Sequence, residues 1–75
     1  MLTFTPITLD ANHGDEEAVL ILRAERLVAI ASRLGQHHGG AAGEWFVETV
    51  FNDGLRIAGR RCATLEDMTS LIELG

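Results

Sequence analysis

The chain has 75 residues and a mass of 8.1 kDa, is 47% hydrophobic with a mean hydropathy of +0.15, and carries a net charge of −5. A chain of this length holds one small domain, expected over residues 1–75, with enough apolar surface to exclude a disordered chain. No apolar run nears the ~18–20 residues of a membrane span, and an acidic chain whose basic residues are all arginine has the wrong sign for a nucleic-acid or anionic-membrane binder.

Residues 1–9 read as a strand in two phases, with Leu2 and Phe4 on one side, Ile7 and Leu9 on the other, and Pro6 at the switch. A phase change in a period-2 pattern calls for a bulge or bend, and the donor that proline lacks places the strand at an edge. Asp10-Ala11-Asn12-His13-Gly14-Asp15 follows as a polar turn. The first residues lack the basic and apolar regions of an export signal, and a lone cysteine makes no internal disulfide; both lead to the expectation of a cytoplasmic location.

Residues 16–34 decide the fold class. Helix propensity, Asp15 as an N-cap and Gly35 as a terminator all favour a helix. The distribution of apolar residues overrules them. Ala18-Val19-Leu20-Ile21-Leu22 and Leu27-Val28-Ala29-Ile30-Ala31 are unbroken runs that would wrap a helix all round, and so short a chain cannot cover such a helix. Two buried strands joined at Arg23-Ala24-Glu25-Arg26 fit better, through a type I turn, which tolerates most residues. Residues 35–43 hold four glycines and no large apolar side chain, so a mobile loop is expected.

Residues 45–58 read as a hairpin about a three-residue Asn52-Asp53-Gly54 loop, with Gly54 in the left-handed conformation. This register sets Phe51 against Leu55, Thr49 against Ile57 and Val47 against Gly59. One face then carries Trp45, Val47, Phe51, Leu55 and Ile57. The other carries Glu44, Phe46, Glu48, Val50, Arg56 and Arg60, with Glu48 near both arginines. A C-terminal helix opens at Thr64, with Asp67 completing a capping box, and its Leu65, Met68, Leu71 and Ile72 stripe is expected against the Trp45/Val47/Phe51/Ile57 face.

Few residues suggest chemistry. His13, His37, His38 and Cys62 are the soft or borderline metal ligands, but no paired spacing occurs, and adjacent histidines in an extended loop point apart; no metal or other cofactor is expected. Cys62 follows Arg60-Arg61 and precedes a helix, an electropositive setting that would favour the thiolate, although lone cysteines are more often small core residues. Ser32 and Ser70 lie in no nucleophile elbow, and the glycines of 35–43 lack the Lys-Ser/Thr of a phosphate loop, so no enzyme is expected. Arg56, Arg60 and Arg61 fall in one segment without an acid and would suit a carboxylate or phosphate; the plainer alternative is that they pair with acids of a neighbouring strand. Phe46 and Val50, apolar among charges, compose a candidate association surface, unless the 1–9 strand or the 18–34 hairpin covers them.

Leu27-Val28-Ala29, then Trp45-Phe46-Val47-Glu48, then Thr64-Leu65-Glu66 opening a terminal helix, resemble the order found in a set of short uncharacterised bacterial proteins. The resemblance spans residues 17–73 and implies a compact sheet-plus-helix domain without a known activity; the long Gly/His loop at 35–43 departs from it. The expected fold is α+β, a curved antiparallel sheet of about five strands with one C-terminal helix packed on it. The expected function is a non-enzymatic cytoplasmic interaction module, homodimeric through sheet edge or sheet face, because so small a core gains from association. The alternatives are a small-ligand or anion sensor built on Arg56, Arg60 and Arg61, and an acidic antitoxin- or immunity-like inhibitor that caps a basic protein.

Overall fold

The computed structural model describes residues 1–10, 16–52 and 54–74. Its strands are β1 (Leu2–Thr8), β2 (Glu17–Arg23), β3 (Arg26–Arg33), β4 (Trp45–Val50) and β5 (Arg61–Cys62), followed by the helix α1 (Leu65–Leu74). Each strand pairs antiparallel with the next, giving one open sheet in the order β1-β2-β3-β4-β5. The α+β architecture expected from the two apolar runs is the one observed.

β2 and β3 are those runs, paired from Ala18↔Ser32 to Arg23↔Arg26. Their turn is not type I. Ala24 and Glu25 have φ of 50° and 66°, and positive φ at both central positions is the type I′ signature, whose twist matches that of the flanking strands. Sheet geometry thus imposes a conformation that neither residue favours. A register shift between Ile21 and Leu22 accommodates Val28, so that Val28 and Ala29 both enter the core.

β1 occupies the expected edge, but its pairing runs unbroken from Leu2↔Arg23 to Thr8↔Glu17. The expected bulge or bend is absent from β1. Its two phases are simply two apolar faces: Leu2 and Phe4 pack against the core, and Ile7 lies on the other side. The polar turn expected over Asp10–Asp15 lies, beyond Asp10, outside the described residues.

Residues 35–43, expected as a loop, contain short helical turns. Gln36–Ala41 form 3₁₀ turns kinked at Gly39 (φ 60°, ψ −119°). The base is closed by Leu34 N–H donating to Glu44 O and Gly43 N–H donating to Leu34 O, both at 2.8 Å.

The C-terminal hairpin departs most from expectation. β4 pairs with β3 through Arg33↔Trp45, Ser32↔Phe46 and Ala31↔Val47, and then the register shifts, with Ile30 opposite Thr49 and Ala29 opposite Val50. The extra residue, Glu48, reverses the phase of the rest of the strand, so Val50 joins Val47 against the core rather than Phe46 on the opposite face. No return strand forms over 55–58. Gly59 N–H does donate to Val47 O at 2.9 Å, but Val47 N–H donates to Arg60 O, and β5 begins only at Arg61, which pairs with Phe46 one residue off the expected register. Between them the chain makes two tight turns, marked by Leu55 N–H to Asn52 O and Arg60 N–H to Ile57 O, both 3.0 Å. This path buries Ile57 (3% exposed) and leaves Phe51 outside (54% exposed), so Phe51 is not part of the helix-facing surface. The tip of the expected loop, Asp53, lies outside the described residues.

α1 starts with half of the expected capping box: Thr64 Oγ1 accepts from Asp67 N–H at 3.1 Å, and Glu66 and Asp67 occupy the first turn. Met68 and Ile72, one turn apart, are fully buried among Ile21, Ala31, Val47 and Trp45. No described helix is long and apolar enough to cross a membrane.

Candidate functional site

α1 covers one face of the sheet only. Alternation places Ile7 of β1, Leu20 and Leu22 of β2, Ile30 of β3 and Phe46 of β4 on the opposite face, joined by the cross-strand pairs Ile7↔Ala18, Leu20↔Ile30 and Ser32↔Phe46. These five side chains are half-buried, and Ala18 and Ser32 between them are buried completely. Ser32 Oγ donates to Glu48 Oε2 at 2.5 Å, which satisfies the buried hydroxyl. Glu48 therefore turns to the sheet centre instead of to Arg56 and Arg60 across a hairpin. On the same side, a concavity of about 220 Å³ lies between Leu34, His38, Phe46, Glu48 and Arg61.

Of the two residues singled out for association, Phe46 is on this face and Val50 is not. Leu20, Leu22 and Ile30 complete the face in its place. Their signal was already present, since a strand apolar at every position is a strand with two sides to cover.

The arginine segment builds a second feature. The turn at Ile57–Arg60 has Gly59 at φ 84°, the conformation that the third position of a type II turn requires. With Ile57 anchored in the core, the turn sets Arg56, Arg60 and Arg61 around one open concavity of about 570 Å³, beside Leu71 and Leu74 of α1. All three predicted arginines thus meet in one place. Arg61 Nε lies 3.9 Å from Glu44 Oε1, just before β4, a loose and largely exposed pair. Among the described residues no acid lies within ion-pair distance of Arg56 or Arg60. Among the described residues the pairing alternative therefore holds for Arg61 alone.

Cys62 lines the same concavity, but it is not poised as a thiolate. Burial raises its pKa above the ordinary 9.0 and the Asp67 carboxylate raises it further, while Arg60 opposes them. The two preceding arginines suggested the reverse, because the sequence does not show that α1 brings Asp67 alongside. His37 and His38 do not point apart either: within the 3₁₀ turns their ring centroids are 4.1 Å apart, tilted by 41°. Among the described residues no group of three potential ligands could hold a metal ion, and His13 lies outside them. Ser70 borders the arginine concavity.

Compared with models of protein families, with curated proteins and with solved structures, the chain matches none.

Proposed function

We propose that this protein is a non-enzymatic interaction module that pairs with a second copy of itself through the open face of its sheet. The observation that carries this reading is the apolar composition of a face without a covering layer among the described residues: Ile7, Leu20, Leu22, Ile30 and Phe46. An antiparallel sheet with one solvated face normally alternates apolar inside and polar outside. β2 and β3 do not alternate, so the sequence is written for a third layer.

Two features favour a copy of the same chain as that layer. Glu44 and Glu48 stand beside Arg61 along one side of the patch, so two copies related by a two-fold axis can set acid against base with the same surface. Association through the β1 edge is disfavoured by Pro6, which removes a donor from that edge strand. Face-to-face packing is left as the route, at the ~10 Å spacing of stacked sheets.

Sedimentation at tens of micromolar should give twice the 8.1 kDa of one chain. Phe46→Glu and Ile30→Glu, which put charge on the patch, should each raise the dimer dissociation constant at least about tenfold. A wild-type protein that sediments as a monomer at these concentrations sinks the proposal. So does a dimer that tolerates both substitutions.

A further inference from the structure

We infer that the concavity between the 54–62 segment and α1 is a binding site for a small oxyanion, a carboxylate or phosphate monoester, carried on an apolar body. This inference uses a surface that shares only Arg61 with the proposed pairing face, and its test leaves Arg61 in place.

The first argument is charge. Among the described residues, Arg56, Arg60 and Arg61 border the concavity with one acid, Asp67, and Arg56 and Arg60 have no ion-pair partner. Arginine keeps its charge at any working pH and offers a planar fork that fits two oxygens at once. Half of the chain's six basic residues converge here, while the whole molecule carries −5. That contrast selects the size of the ligand. A polyanion or an anionic membrane spans many screening lengths and meets the acidic remainder, whereas a small oxyanion feels the field within roughly 8–10 Å.

The second argument is shape and lining. A volume of about 570 Å³ falls in the ~300–1,000 Å³ range of small-ligand sites. Beside the arginines stand Leu71, half-buried, and Leu74, which is 88% exposed on the side of α1 turned away from Met68 and Ile72. An apolar body lying on Leu71 and Leu74 would remove that leucine surface from water while its oxyanion reaches the guanidinium groups. The third argument is anchoring. Ile57 in the core and the Gly59 turn fix the backbone between Arg56 and Arg60, so the arginines sit on a held segment.

The probes are octanoate, octyl phosphate, 1-octanol and inorganic phosphate, measured on the intact chain by calorimetry and by thermal denaturation. Octanoate and octyl phosphate should bind and raise the melting temperature, with affinity falling as salt rises. Octanol and inorganic phosphate should each bind at least tenfold more weakly, since each lacks one half of the ligand. Arg56→Gln/Arg60→Gln should weaken octanoate and octyl phosphate at least tenfold. Both side chains are exposed, so the melting temperature of the unliganded variant should stay unchanged. The inference is overturned if neither amphiphile binds, if octanol binds as tightly as octanoate, or if the double variant keeps the wild-type affinity. Inorganic phosphate binding as tightly as octyl phosphate would overturn the apolar half of it. If octanoate alone or octyl phosphate alone binds, the site stands and the oxyanion is named.

Discussion

Cys62 is the only side chain of this protein that titrates in the alkaline range below the arginines, because the chain contains neither lysine nor tyrosine. Its thiol is held above 9.0 in the folded protein, first by burial and then by Asp67, against the pull of Arg60. An unfolded chain releases that proton near the ordinary value, so the folded state binds more protons as the pH climbs past it. The resulting stability is complete below about pH 9 and is lost as the pH rises through the folded value. Urea unfolding should therefore show stability declining above pH 9, and Cys62→Ser should flatten the decline. An equally steep decline in the variant would point to another group. The β2–β3 turn is the second residue-scale test. Ala24 and Glu25 both hold positive φ, a conformation that costs a residue with a side chain roughly 1–2 kcal/mol. The double substitution Ala24→Asn with Glu25→Gly supplies the asparagine-glycine pair that such a turn prefers, and it should raise the unfolding free energy by about 1–2 kcal/mol. Destabilisation by that pair would contradict the type I′ geometry.

At the scale of the element, α1 poses a question of magnitude. Its cap is one hydrogen bond, from Asp67 N–H to Thr64 Oγ1, and its packing is two fully buried side chains, Met68 and Ile72. Losing a threonine cap costs about 1 kcal/mol, whereas truncating a buried isoleucine costs about 2–5 kcal/mol. Thr64→Ala should therefore be the milder change and Ile72→Ala the severe one, as read by chemical denaturation. The reverse order would mean that the ten-residue helix holds by its own end rather than by the sheet beneath it. β5 is the counterpart case. With two residues it contributes little pairing of its own, and it is located by the burial of Ile57 before it and of α1 after it.

For the whole molecule, the relevant quantity is the area left to water. The chain exposes 4893 Å², against about 4,500 Å² for a compact monomer of this mass. Several of its buried side chains are alanines, which contribute little transfer energy each. If the proposed pairing of two copies holds, the melting temperature should rise with protein concentration as mass action requires. A melting temperature constant over a hundredfold range of concentration would contradict association. Charge is distributed on the same scale: three arginines gather at one concavity of an acidic molecule, and that polarity underlies the proposed anion site.

The sequence by itself determined the order and kind of most elements. Unbroken apolar runs at 18–22 and 27–31 excluded a helix because a helix apolar all round cannot be covered by so short a chain. Thr64 and the stripe from Leu65 to Ile72 marked α1, and Pro6 marked an edge; each is a local signal that needs no distant partner. Tertiary structure decided the rest. The bulge at Glu48 that turns Val50 inward, the positive φ of Ala24 and Glu25, the burial of Ile57 at the expense of a return strand, and the approach of Asp67 to Cys62 all come from neighbours distant in sequence. Packing a twisted sheet against a helix resets phase and charge environment residue by residue, and periodicity along one strand carries no record of the strand or helix that will lie across it.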